Sequence, residues 1–116
     1  MSPGAHGIDR SMRLRRRAEF LAVQQTGTKI HGRAFLALVV PTGSPQGRLG
    51  VTVTRRVGNA VTRNRIKRLV REWMRQNGWV PAGCDVVLVA KDAAARIRTL
   101  AEMGDELHRI RARIPC

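Results

Sequence analysis

Gly58 to Arg68 reads GNAVTRNRIKR, with Arg63, Arg65, Lys67 and Arg68 close behind Asn59. Asn59 is a good helix N-cap, because its side-chain oxygen accepts a free N–H of the first turn. Arg63 and Arg65 then fall within the first two turns. There the helix macrodipole disfavours a cation by about 0.3–1 kcal/mol. A face that is merely solvated would gather its bases near the other end of the helix. A breach of a local rule of this kind marks a functional site. Free N–H groups, guanidinium forks and the amides of Asn59 and Asn64 together suit a phosphate.

Chemistry by the chain's own side chains is not legible. There is no Ser/His/Asp or Cys/His constellation and no HExxH. GVTVTRRVG lacks the Gly-Lys-Ser/Thr ending of a P-loop. Two-metal phosphodiester hydrolysis needs converging acids. Asp9, Glu19 and Glu72 are the acids of the basic part, and they are far apart. Cys84 and Cys116 lie 32 residues apart, and His6, His31 and His108 are scattered. That spacing offers no metal site and predicts isolated thiols in a reducing compartment. No catalytic or metal-ligating residue is therefore expected from the chain.

The charge distribution supports a binding role. The chain of 116 residues carries 22 Lys and Arg against 8 Asp and Glu, a net charge of +14. Residues 1–79 hold 16 bases and 3 acids; residues 80–116 hold 6 and 5. The excess sits in the first two thirds, and it points to a polyanion, with nucleic acid foremost. No run approaches the roughly 20 apolar residues of a membrane span. AEFLAV is too short for a secretory core, so no membrane partner and a cytoplasmic location are expected.

The elements that must hold this helix follow from pattern. At 43% apolar residues the chain is globular, and its four aromatics, Phe20, Phe35, Trp73 and Trp79, leave an aliphatic core. Met1 to Asp9 lacks periodicity and is expected to be a mobile tail, with residues 10–116 forming one domain. RSMRLRRR, Arg10 to Arg17, extends the basic surface through Arg13 and Arg17. Ala18 to Gly27 predicts a short helix with Phe20, Leu21 and Val23 on one side. Arg33 to Pro41 and Arg48 to Arg56 predict two strands, joined by the turn-rich TGSPQG as an antiparallel hairpin. Val51 and Val53 face one way, Thr52 and Thr54 the other.

A helix over Asn59–Asn77 ends at Gly78, with Ile66, Leu69, Val70, Trp73 and Met74 in one apolar stripe. Val61 falls off that stripe. Lys67, Arg68, Arg71 and Arg75 share the opposite arc with Asn64 and Arg65. Asp85–Ala90 is apolar on both faces and predicts an interior strand. Ala93–Ile114 predicts a last helix, packing Ile97, Leu100, Met103, Leu107, Ile110 and Ile114. The order α-β-β-α-β-α makes a two-layer α+β sandwich. A helix-turn-helix DNA reader would need a short helix where GVTVT reads as a strand.

Leu49 to Arg75, LGVTVTRRVGNAVTRNRIKRLVREWMR, resembles the signature region of the bacterial ribonuclease P protein subunit. RRRAEFLAVQQTG before it and GCDVVLVAK after it are similar too, and the likeness spans roughly residues 13–110. The resemblance implies a non-catalytic protein that assists a large catalytic RNA, working with Mg²⁺ bound mainly by RNA and substrate, to remove the 5′ leader of precursor tRNA. It implies a left-handed βαβ crossover and a protein that is monomeric before assembly. By motif position it places Asn59, Arg63, Asn64, Arg65, Lys67 and Arg68 against RNA, with Arg55 and Arg71 beside them. Phe20, Leu36, Thr52, Thr54, Arg56 and Arg63 would line a leader cleft between the sheet and the basic helix. Gln24 and Leu38 stand where the family often has aromatics, which implies less stacking on the leader. The alternative reading is a general basic RNA-binding module, such as a ribosomal-protein-like factor.

Overall fold

The computed structural model describes residues 17–43, 45–78 and 82–114, without the side chains of Glu19, Phe20 and Gln24. The expected tail, residues 1–9, and Arg13 lie outside them. The elements are α1 (Arg17–Thr26), β1 (Thr28–His31), β2 (Phe35–Pro41), β3 (Arg48–Thr52), α2 (Ala60–Asn77) and β4 (Cys84–Ala90). A 3₁₀-helix (Asp92–Arg96) and α3 (Leu100–Arg111) close the chain.

The sheet order is β1-β2-β4-β3. β4 pairs antiparallel with β2 and parallel with β3. The expected β2–β3 hairpin is therefore wrong. β4 carries apolar residues on both faces, and burying both requires a central position, which it takes between the two strands. The connection from β3 through α2 to β4 is accordingly a βαβ crossover. β1 escapes prediction because only Ile30 of its four residues is buried, too weak a pattern to register as a strand.

Alternation divides the sheet into two faces. Phe35, Ala37, Val39, Leu49, Val86 and Leu88 share the main core with Ile66, Leu69, Val70 and Met74 of α2, and with Met103, Leu107 and Ile110 of α3. Val53 joins that core and Val51 packs against it, on the side expected of them. On the other face, Val23 of α1 packs with Leu38 and Val87. Leu21, expected on the same side of α1, is 39% exposed instead.

α2 begins and ends where its caps dictate. The side chain of Asn59 accepts the Thr62 N–H at 2.9 Å, and Gly78 adopts φ 57°, a left-handed C-cap. The predicted last helix is broken. Residues 92–96 form the 3₁₀ turn, and α3 starts afresh at a capping box of Thr99 and Glu102. Most of the expected apolar set holds all the same: Ile97, Met103, Leu107, Ile110 and Ile114 are buried, and Leu100 is half-buried against the core. A side chain added at Gly104 would overlap the Trp73 indole, so this glycine sets how closely α2 and α3 approach. Cys84 is disulfide-bonded, which corrects its reading as an isolated thiol. Sequence spacing carries no information on which distant cysteines a fold brings together. Cys116, the other cysteine, lies outside the described residues.

Candidate nucleic-acid interface

The interface has two parts, a polybasic helix and an open strip of sheet. On α2 the first turn holds no acid. Asn64, Arg68 and Arg71 are exposed; Arg63, Arg65 and Lys67 are half-buried. The Nε atoms of Arg63 and Arg65 are buried and have no hydrogen-bond partner. An unmatched buried donor is rare enough in a folded protein to call for an explanation, and an acceptor from a partner supplies one.

Arg65 also has an internal duty. Its Nη2 donates to the Ala95 carbonyl at 2.7 Å, tying α2 to the 3₁₀ turn. The single acid of the helix, Glu72, is held by Arg75 and Gln76. The Arg75 hydrogen bond, with that of Gln76, keeps the Glu72 carboxyl below its ordinary range. Both partners of this pair sit past mid-helix, leaving the first two turns purely cationic.

The open strip lies on the sheet face turned away from α2. Register sets three rows across β2, β4 and β3: Val40–Asp85–Arg48, Leu38–Val87–Gly50 and Leu36–Val89–Thr52. The first row is closed by an ion pair, Arg48 Nε and Nη2 donating to Asp85 at 3.0 and 2.6 Å. The second is covered in part by α1: Leu38 is 3% exposed beneath Val23. It therefore offers no stacking surface to a ligand. The third row, Leu36, Val89 and Thr52, is half-exposed. Just beyond it a cavity of about 400 Å³ is lined by Thr54, Arg56, Val57, Val89, Lys91 and Asp92.

The structure thus brings Leu36 and Thr52 into one row, and Thr54 and Arg56 to its end. It does not place the cleft where the resemblance did. The space between the sheet and α2 is filled by the main core, so the open strip is on the opposite face, beside α1. Arg63 stands on α2 and does not line the cavity of Thr54 and Arg56. Arg17 opens α1 and is exposed; Arg55 and Arg56 are exposed in the turn after β3. The side chain of Phe20 is outside the described residues.

Two members of the strip are not legible in the sequence. Val89 reads there only as core, and Lys91 closes the segment GCDVVLVAK with nothing in that segment to mark it for a ligand. Lys91 Nζ donates to the Gly32 carbonyl at 2.8 Å and lies 3.4 Å from His31 Nδ1. The parallel pairing of β3 with β4, with Thr52 opposite Val89, brings Lys91 to Thr54 and Arg56. No spacing rule within the chain could have found it.

Comparison with known proteins gives one answer. The family model Ribonuclease P matches residues 8–114. The ribonuclease P protein component of Desulfatibacillum aliphaticivorans is 43% identical over 94 residues, 80% of each chain. That of Desulfovibrio desulfuricans is 39% identical over 116 aligned residues, covering 93% of this chain and 89% of its own. The RNase P protein of Thermotoga maritima superimposes with a TM-score of 0.80 at 31% identity, over 90% of this chain and 98% of that one. A mutant RNase P protein of Staphylococcus aureus gives 0.77 at 26% identity, over 86% and 85%.

Proposed function

The chain belongs to the ribonuclease P protein family, and on that premise we propose that α2 docks on the catalytic RNA while the open strip beside α1 receives the precursor-tRNA leader. The chain is a protein subunit of the endoribonuclease that matures tRNA 5′ ends, and the general RNA-binding module is set aside.

The observation that carries the docking role is the pair of buried, unmatched guanidinium nitrogens in a helix start without acids. A phosphate oxygen is an acceptor of the right charge for the outer nitrogens of both half-buried guanidiniums, and fork geometry favours two-point contact. Asn59 spends its side-chain oxygen on the cap and keeps its amide N–H groups for a ligand. Arg68 and Arg71 add potential along the exposed arc. The strip of Leu36, Val89 and Thr52 suits an extended single strand, through apolar contact with bases and a hydroxyl at one edge. Arg56 and Lys91 then meet its backbone.

Magnesium belongs to the RNA in this reading. Among the described residues no group of three or more His, Cys, Asp or Glu gathers to hold a metal. Hard cations of this kind keep oxygen ligands, which RNA and substrate phosphates supply. The protein's part is to lower electrostatic repulsion between those phosphates and to hold the leader extended. Among the described residues, no helix is long and apolar enough to cross a membrane. A monomer working in the cytoplasm fits the premise.

Reconstitution tests the reading. The chain is combined with a bacterial ribonuclease P RNA and precursor tRNA at low Mg²⁺. Faster leader removal than with RNA alone is expected; equal rates would sink it. The leader assignment is tested separately with Thr52→Val and Lys91→Ala, which should weaken precursor tRNA relative to mature tRNA and leave RNA assembly intact.

A further inference from the structure

A second cavity shares no lining residue with the first. It measures about 380 Å³ and is lined by the 33–34 turn, the 3₁₀ turn and α3, with no residue from α2. Its floor is apolar: Ala34 and Ile97 are buried and Ala93 is half-buried. Its rim carries three guanidiniums, Arg33, Arg96 and Arg109, and three carboxylates, Glu102, Asp105 and Glu106.

Most of the carboxylates are committed. Glu106, 3% exposed, accepts the Ala34 and Phe35 N–H groups at 2.6 and 3.3 Å and an Arg109 nitrogen at 3.4 Å. Glu102 accepts the Arg98 and Thr99 N–H groups at 3.0 and 3.1 Å as half of the capping box. Among the described residues, the side chains of Arg33, Arg96 and Asp105 hold no hydrogen bond or ion pair. The cavity therefore presents two spare cations, one spare acceptor and an apolar floor between them.

From this complement we infer that the cavity binds one nucleoside phosphate, separately from the α2 and sheet surfaces. Two guanidiniums match a phosphate dianion. The floor and the guanidinium planes take the flat face of a base. An ionised carboxylate only accepts, so Asp105 selects a base edge with N–H donors. Guanine, with two adjacent donors, fits best, and uracil, with one, fits poorly. The volume falls within the range of small-molecule pockets. The inference does not depend on the ribonuclease P reading.

Amide chemical shifts of the full-length chain, followed by NMR during titration, separate this site from other anion contacts on so basic a protein. GMP is expected to move Ala34, Ala93, Ile97 and Asp105 amides with one saturating curve. Arg96→Ala and Arg33→Ala, both at exposed positions, should raise the half-saturation concentration at least tenfold on the scale of charged hydrogen bonds removed. Asp105→Asn should erase the preference for GMP over UMP while phosphate still binds. Shifts confined to α2, or unchanged by Arg96→Ala, would overturn the site. Inorganic phosphate matching GMP at the same amides, or UMP matching GMP in the unmutated chain, would overturn the nucleoside assignment. A uridine oligonucleotide with one central guanosine identifies the source. Tighter binding than GMP points to an RNA strand, and equal or weaker binding to the free nucleotide; either keeps the site.

Discussion

α2 and α3 pack against each other and obey opposite rules. α3 starts on a capping box, carries an acid in its first turn and has His108, Arg109 and Arg111 in its last. Each charge opposes the end of the macrodipole it sits on. α2 has a good N-cap and a good C-cap, yet no acid in its first turn and arginines near its start. Both helices bury an apolar stripe, so packing does not explain the difference. One helix uses its charges to stabilise itself; the other holds them for a partner. A helix whose caps are sound and whose charges are wrong is therefore a better sign of a binding surface than a basic helix as such.

Glu106→Ala tests the structural side of this comparison and should have the largest effect. It leaves the Ala34 and Phe35 N–H groups without their acceptor, and about 2–4 kcal/mol of stability should go, read as a lower urea midpoint. A loss under about 0.5 kcal/mol would mean that α3 does not anchor the β1–β2 turn.

On the other helix, replacing Arg63 and Arg65 by alanine should cut affinity for the catalytic RNA about tenfold or more. It should also make the slope of log K against log salt shallower by about 0.7–0.9 for each phosphate that the variant no longer neutralises. Arg63→Ala alone should leave stability within about 0.5 kcal/mol of the parent. Arg65→Ala should cost about 1 kcal/mol, because it also removes the Ala95 bond. If both variants lose stability and neither loses affinity, α2 is a structural helix like α3.

Thr99→Ala removes one half of the α3 cap. Stability should fall by about 1 kcal/mol with RNA affinity unchanged, measured by thermal unfolding beside a filter-binding titration.

The smallest effect is on acid stability. Backbone N–H donation from Arg98, followed by the Thr99 side chain, lowers the Glu102 carboxyl from its ordinary 4.5. A depressed folded-state value gives a contribution that is present above the unfolded value and fades as pH falls through the lower one. Acid unfolding of Glu102→Gln should therefore differ from the parent at neutral pH, and the difference should start to fade as pH falls below the ordinary value of 4.5 and vanish only below the depressed folded value. Curves that stay parallel throughout would remove the carboxylate from the cap.

Legibility in the sequence follows the range of the interaction. The bounds of α2 are legible to within a residue, since Asn59 and Gly78 act on their own neighbours. The buried residues of the last segment are legible although the helix itself is broken, because an apolar residue seeks burial whatever the backbone does between Ile97 and Thr99. β4 reads as interior from its two apolar faces. Pairing is not legible: β2 and β3 look like a hairpin in sequence, and β4 lies between them in the sheet. The location of the cleft fails for the same reason, since it depends on which face α2 covers.

Residue order is enough to say where the charge lies, which helix carries it and that its first turns break the macrodipole rule. These are properties of residues within a turn or two of each other. Tertiary structure alone decided that Leu36, Val89 and Thr52 form one row, that Lys91 reaches Thr54 and Arg56, and that the Nε atoms of Arg63 and Arg65 are buried without partners. It also decided that Cys84 is bonded. Each of these needs segments distant along the chain to meet. A local code cannot state that, because which strand lies beside which is settled by burying all the apolar faces at once.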